Sequence, residues 1–276
     1  QSVRQTGGAI VEVNAGPGLL MHLKPSQGSP QPVGAAIVDL MFPVDDDARI
    51  PLITVTGSQH SVPVVLLLQG LLAKAGHCVG WSAGAGLNLN DTVLDRRSTS
   101  SADHTRRLLI NPEVTAAVIA LQPESILREG LEFDRADVAI VTDVDWEAHL
   151  GGEFDLFNRD KVFSVFRSAV DVILPGGTAV LNAADPMVLE MKPLSQAGVI
   201  LFAQDAALPA IVAHRQDGLP VVTIIDDAVQ LCTNEGCERL INLSDLSNER
   251  LSPGQLDVVL AAGDRLTLPD ETAHGG

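Results

Sequence analysis

The stretch Ile53-Thr54-Val55-Thr56-Gly57-Ser58-Gln59-His60-Ser61-Val62-Pro63, followed by the apolar run Val64 to Ala73, decides how the rest of the chain is read. β-Branched residues up to Thr56 predict a strand, Gly57 a turn, and the run beyond Pro63 a helix. A first strand that passes through a glycine turn into a helix is where α/β proteins hold a mononucleotide. Such a turn needs glycines for close backbone approach, a lysine for the phosphates and a hydroxyl for magnesium. Here Ser61 stands at the lysine position, Val62 at the hydroxyl position, and Pro63 has no N–H to offer. The lysines of the chain are Lys24, Lys74, Lys161 and Lys192, none of them in this turn. On its residues alone the segment is a strand-to-helix turn with Pro63 at the helix start.

Outward from it, short apolar strands alternate with helical stretches from Ile50 to about Phe202. The predicted strands are Leu52 to Val55, Cys78 to Trp81, Ala116 to Leu121, Val138 to Thr142, Thr178 to Asn182 and Val199 to Phe202. Several are nearly continuous in Val, Ile and Ala, the pattern of strands covered on both faces. The fold class that follows is α/β, a mainly parallel sheet flanked by helices and related to mononucleotide-binding folds. After Pro209 the pattern shortens to Val221 to Ile225, Val229 to Leu231 and Leu240 to Asn242, which predicts a C-terminal β-hairpin appendage over residues 208–276. Residues 50–207 are then the central α/β domain. Residues 43–49, Pro43-Val44-Asp45-Asp46-Asp47-Ala48-Arg49, have the composition of a solvated linker. Residues 1–42 hold a strand at Ala9 to Val13, a turn at Asn14 to Gly18 and a helix from Val33 to Met41, too little to fold alone. The chain begins without Met and enters that strand almost at once, so a piece of a longer polypeptide is expected.

The 276 residues carry 35 Asp and Glu against 18 Lys and Arg, a formal charge of −17, which repels a phosphate backbone. Neither a nucleic acid nor an anionic membrane is an expected partner. The longest apolar runs fall well short of the roughly 20 residues that cross a bilayer. Cys78, Cys232 and Cys237 are odd in number and unevenly spaced, which fits a reducing cytoplasm better than a disulfide framework.

The order of segments resembles the carboxy-terminal half of a cyanophycin synthetase, in which the end of an ATP-grasp domain joins a Mur-ligase-like domain. The blocks that carry the likeness run from Gly8 to Gly18 with Met21-His22-Leu23, through Arg49-Ile50-Pro51 and Val55-Thr56-Gly57, to Ile126 through Asp134. They continue with His149-Leu150, Pro175-Gly176-Gly177 and Ala179 through Pro186, over roughly residues 8 to 230. The resemblance implies two ATP- and magnesium-dependent ligase sites. One joins aspartate and the other arginine to a growing polymer, each through an acyl phosphate. Its implied partners are the rest of the ATP-grasp domain, aspartate, arginine, the cyanophycin-like polymer and further copies in a homo-oligomer.

Against the family's pattern, the Mur-like site is depleted. The family's Gly-Thr-Asn-Gly-Lys-Thr loop aligns with Gly57, Ser58, Gln59, His60, Ser61 and Val62. The family's metal-binding Glu falls on Ala120, the Asp of its Asp-His-Leu-Gly block on Ala148, and its carbamylated lysine on Phe166. The nucleotide-side Asn-Ala-Asp-Asp-Pro block survives with Asn182 and Asp185. The expectation is a domain that has lost ATP and magnesium binding and serves as a structural or docking module. The alternatives are an active ligase with an atypical loop, its missing cation supplied by Arg106 or Arg107, and a sensor of a small ligand. For the ATP-grasp tail the resemblance implies that Glu12 and Asn14, two apart on an extended segment, ligate magnesium. His149 is the remaining metal candidate of the Mur-like part, beside the carboxylates Asp143, Asp145 and Glu147. Arg96-Arg97 and Arg106-Arg107 with His104 form a local basic patch, read as a solvated helix face or an anion site.

Overall fold

The computed structural model describes residues 7, 13–42, 48–83, 86–97 and 100–246, and two compact units divide at residues 49 and 50. The first unit contributes α1 (Leu20–Leu23) and α2 (Val33–Met41), neither of which buries a residue. The predicted strand from Ala9, the ligand candidate Glu12, linker residues 43–47 and the tail from residue 247 lie outside the described residues.

The second unit follows the order β1 (Leu52–Thr56), α3 (Ser61–Lys74), β2 (Val79–Ser82), β3 (Leu87–Leu89), β4 (Thr92–Asp95), α4 (Ser101–Leu109), β5 (Ala116–Leu121) and α5 (Pro123–Glu129). Next come β6 (Ala136–Val141), α6 (Arg159–Asp171), β7 (Ile173–Asn182), α7 (Pro186–Leu189), β8 (Gly198–Asp205) and α8 (Pro209–Gln216). β9 (Val221–Ile225), β10 (Ala228–Cys232), β11 (Cys237–Asn242) and α9 (Leu243–Leu246) complete it. All strands join one sheet in the order β11-β10-β9-β8-β7-β6-β1-β5-β2-β3-β4. From β9 to β2 every pairing is parallel, and an antiparallel hairpin extends each edge. The mainly parallel α/β sheet predicted from the strand and helix alternation is therefore present.

β5 shows why the central strands read as unbroken apolar runs. All six of its residues are buried. Ala117, Ile119 and Leu121 join one core with Phe166 of α6 and Leu108 of α4, while Val118 and Ala120 join the opposite core with Val64, Val65 and Leu68 of α3. Alternate side chains thus meet helices on opposite faces. Local chemistry sets the helix starts. The Ser100 side chain accepts from Asp103 N at α4, Asn158 from Lys161 N at α6, and Asp185 from Met187 N and Val188 N at α7, while Pro123 opens α5.

Three departures from the sequence reading have physical causes. The β3–β4 hairpin is not legible because its residues, Leu87 to Asp95, are mostly polar and its outer strand is exposed. The C-terminal strands continue the main sheet, since β9 pairs in parallel with β8. A hairpin outside the core was expected there, yet Val221, Val222, Ala228 and Val229 are buried. Cys232 and Cys237 form a disulfide, against the unpaired state inferred from the odd count. Their five-residue separation closes a turn and makes them register partners on β10 and β11, while Cys78 is the free third. Among the described residues, no helix is long and apolar enough to cross a membrane.

Gly57 sets the distance between the ends of β1 and β6. A Cβ at this position would lie 1.8 Å from Thr142 Oγ1 and 3.2 Å from Thr142 Cβ, far inside contact distance. Gly57→Ala is expected to destabilise the fold by about 2 kcal/mol, because overpacking at a buried position displaces backbone. Denaturant unfolding measures the loss, and Thr142→Ala in the same chain should recover part of it. An unchanged midpoint in Gly57→Ala would contradict the geometry.

His104 and His214 are both fully buried. Burial is the first cause that pushes the pKa of each below the ordinary histidine value, with Arg107 adding to the effect at His104 and Lys192 at His214. Each folded-state pKa lies below the unfolded value near 6.5, so the native chain binds fewer protons than the unfolded one. Their contribution to stability is complete above about pH 6.5 and declines as the pH falls through that value. Melting temperatures between pH 7.5 and 5 should fall, and His104→Asn should flatten the slope. A slope unchanged in both His104→Asn and His214→Asn would refute the assignment.

Candidate functional site

The predicted loop and the two distant candidates Asn182 and Asp185 meet at the carboxyl ends of β1, β6 and β7, where open α/β sheets bind ligands. The segment 142–149, which leaves β6, lies between them and bonds to both. On one side, Asp143 takes the donors of the loop. Its carboxylate accepts from Gln59 N at 3.0 Å, His60 N at 3.3 Å and the His60 ring at 2.9 Å, and also from Thr142 Oγ1 at 2.8 Å. Ser58 N donates to the Asp143 carbonyl at 3.2 Å. Ser58 Oγ accepts from Asp145 N at 2.9 Å and shares a hydrogen bond with His149 Nε2 at 3.1 Å.

These donors are the backbone groups with which a glycine turn at a helix start cradles a phosphate. Gly57 is buried and Ser58 half-buried, Gln59 and His60 are exposed, and Ser61 is the first residue of α3. Val62 is exposed on the first turn of α3 and offers only methyl groups at the hydroxyl position. Pro63 is the third residue of α3, which starts two residues before the helix start expected at Pro63.

On the other side, Asn182 and Asp185 are committed to the fold. Asn182 Nδ2 donates to Thr142 O at 2.8 Å, and its Oδ1 accepts from Ala184 N at 2.9 Å. Asp185 accepts from Val144 N at 2.8 Å while capping α7 through Met187 N and Val188 N. A cavity of about 380 Å³ lined by Trp146, Arg159, Asn182 and Asp185 opens beside them. Arg159 pairs with Glu190 there at 2.6 Å.

The metal candidates separate. Asn14 is exposed in the first unit. His149 is enclosed by Ser58, the edge of the Phe166 ring at 5.2 Å between centroids, and Glu124 Oε1 at 3.7 Å. Asp145 accepts from Ala148 N and so caps the short turn Glu147–His149. Among the described residues, no group of three or more His, Cys, Asp or Glu is arranged to hold a metal. Ala120 and Phe166, on which the resemblance places a Glu and a lysine, are buried in the two cores.

Glu124 is a residue the sequence reading missed. It is the second residue of α5, just after β5, and its carboxylate lies 3.7 Å from His149 Nδ1. A second missed pattern is Gly80-Trp81-Ser82-Ala83-Gly84, which has the spacing of a serine-nucleophile turn. Ser82 Oγ lies 2.5 Å from His104 Nδ1, but both side chains are buried and β2 leads toward a hairpin rather than a helix. The pair is a core hydrogen bond. Three of the four arginines of the basic patch are engaged as well. Arg97 and Arg107 both bind Asp95 at 2.7 Å, first Arg97 and then Arg107 holding its carboxyl well below the usual range, and Arg106 pairs with Glu132. Arg106 and Arg107, the cations considered for the loop, are thus each engaged with a carboxylate.

No protein-family model matches the chain. It is 37% identical over 223 residues to a cyanophycin synthetase of Synechocystis, which covers 80% of this chain and 25% of that protein. It is 35% identical over 221 residues to a cyanophycin synthetase of Geminocystis herdmanii, again over 25% of that protein. The chain thus spans about a quarter of the length of these relatives. Among solved structures it is similar to UDP-N-acetylmuramoyl-L-alanyl-D-glutamate–2,6-diaminopimelate ligase, with a TM-score of 0.53 at 11% identity over 76% of this chain and 46% of that one. That likeness concerns the fold. Four-fifths of this chain is a relative of one section of the cyanophycin synthetases, and it has the α/β fold of the Mur ligases.

Proposed function

We propose that the chain is the Mur-ligase-like section of an ATP-dependent amino-acid ligase related to cyanophycin synthetases, and that this section no longer binds ATP and magnesium. It acts as a structural or docking unit. The observation that carries this reading is the Asp143 carboxylate on the loop. It takes the N–H groups of Gln59 and His60 that a phosphate would need, so a nucleotide must displace an internal anion without a lysine to help. Ala120, Ala148 and Phe166 support the same reading, because none of them offers an oxygen to a cation.

Any ligation then belongs to the ATP-grasp part, with aspartate, arginine and their polymer as its substrate class and the cytoplasm as its place. Residues 1–42 are read as the end of that part. The side chains of Val38, Leu40 and Met41 on α2 are exposed, as expected of a segment whose apolar face is covered by the remainder of its own domain. The Mur-like unit, residues 50–207 with the strands after it, is assigned the interface of a homo-oligomer.

Calorimetric titration with ATP, with and without magnesium, tests the central claim, and no heat is the expected result. Ser61→Lys alone should release no phosphate from ATP. Magnesium-dependent affinity in the unaltered chain would instead mean an active ligase with an atypical loop, and magnesium-independent affinity a sensor.

The role of Asp143 has its own test. Asp143→Ala should cost about 1–3 kcal/mol, the usual penalty for leaving buried or charge-assisted donors unpaired. Sulfate or inorganic phosphate should restore part of the lost melting temperature, beyond sodium chloride of equal ionic strength. Absence of any anion-specific recovery would sink the idea that the carboxylate stands in for a bound anion.

A further inference from the structure

A second concave site lies along β9, away from the loop. It is a cavity of about 520 Å³ with α8 as one wall and the turn 233–236 as another. Ile211, Val221 and Ile225 give it an apolar floor. The Thr223 side chain, only 2% exposed, lines the same space, and its hydroxyl has no hydrogen-bond partner. Buried hydroxyls are nearly always paired, so an unpaired one just beneath a cavity wall is a donor that a polar atom from outside would satisfy.

The charges around the cavity point the same way. Arg215 from α8 and Glu235 from the turn both line it, and among the described residues neither forms an ion pair, with the other or elsewhere. Arg97, Arg106, Arg107, Arg128, Arg159 and Arg167 each pair with a carboxylate, whereas among the described residues Arg215 shares its lack of an ion pair with Arg96, Arg135 and Arg239 but is the one of these four that lines this cavity. The turn is also held in shape. The Cys232–Cys237 disulfide closes its base, Thr233 N donates to Gly236 O at 2.8 Å, and Glu235 N donates to Thr233 Oγ1 at 3.2 Å. A wall ordered beforehand loses little freedom when a ligand arrives.

We propose that this groove binds a small zwitterion of the amino-acid or short-peptide class. Its carboxylate meets the Arg215 guanidinium, its amine or guanidinium meets the Glu235 carboxylate, and an aliphatic chain between them covers Ile211, Val221 and Ile225. Thr223 Oγ1 supplies one hydrogen bond to a polar atom of the ligand. A fork-shaped guanidinium suits a carboxylate, and a pocket with one charge of each sign selects against molecules that carry a single charge.

Titration of the full chain with 6-aminohexanoate and L-arginine, alongside hexanoate and hexylamine, tests the site by calorimetry and by amide chemical shifts. The zwitterions are expected to bind saturably and to move resonances of α8, β9 and the 233–236 turn. Each singly charged compound should bind about tenfold more weakly. Arg215→Ala should weaken 6-aminohexanoate by about tenfold and Glu235→Gln by a similar factor, with both exposed positions leaving the fold intact. Thr223→Val should raise the melting temperature of the free chain while shrinking the shift produced by 6-aminohexanoate. The proposal fails if no saturable binding appears up to about 10 mM, a limit set by the weakest specific affinities. It fails equally if hexanoate and hexylamine match the zwitterions, or if all three variants bind like the unaltered chain.

Discussion

The carboxylate of Asp143 is the constraint on which the carboxyl edge of the sheet depends. A glycine turn that leads into a helix gathers several N–H groups at the positive end of a row of peptide dipoles, and those groups demand an acceptor. Where no ligand serves, something else must. Here the residue directly after Thr142 at the end of β6 supplies the anion, and two successive backbone donors and a histidine ring converge on it. The electrostatic requirement of the turn is met from within the chain.

The same short segment carries the influence further. Thr142 O and Val144 N flank Asp143, and they hold Asn182 and Asp185, the residues that position the start of α7. The loop after β1, the segment after β6 and the turn after β7 are therefore tied by one band of hydrogen bonds across three adjacent parallel strands. A band of this kind resists the small independent loop movements with which ligase sites open and close around substrates. Rigidity at this edge accords with a unit that presents a surface rather than one that cycles.

Much of the fold was legible because it rests on period and composition. Ala116 to Leu121 stands in the structure as the sequence predicts it, since an unbroken Ala, Val, Ile and Leu segment has few other uses than a doubly covered strand. Leu87 to Asp95 was not legible, because an exposed edge hairpin needs no apolar pattern. The site was legible in its members but not in its wiring. Gly57 through Val62 could be named from the strand-turn-helix pattern, Asn182 and Asp185 through the family resemblance, and the structure gathers most of them at one edge. Asp143 could be named as a carboxylate at a strand end, but its bonds to Gln59 and His60, and the approach of Glu124 to His149, join segments far apart in the chain and carry no local signal. The disulfide was missed for a similar reason. Two cysteines five apart become partners only once the turn between them is known.

Gly57 has a meaning of its own for how degenerate sites are recognised. A glycine at the end of a first strand is commonly counted as the remnant of a nucleotide motif, and its presence in a sequence raises the score of any chain that has it. In this chain the side chain of Thr142 occupies the volume where a methyl group would project, so the position excludes every larger residue for reasons of space. Steric selection and ligand selection leave the same letter in the alignment. A surviving glycine is therefore silent about chemistry, and the informative positions are those, such as Ser61 and Val62, where space permits the ligand-binding residue and a different one is found.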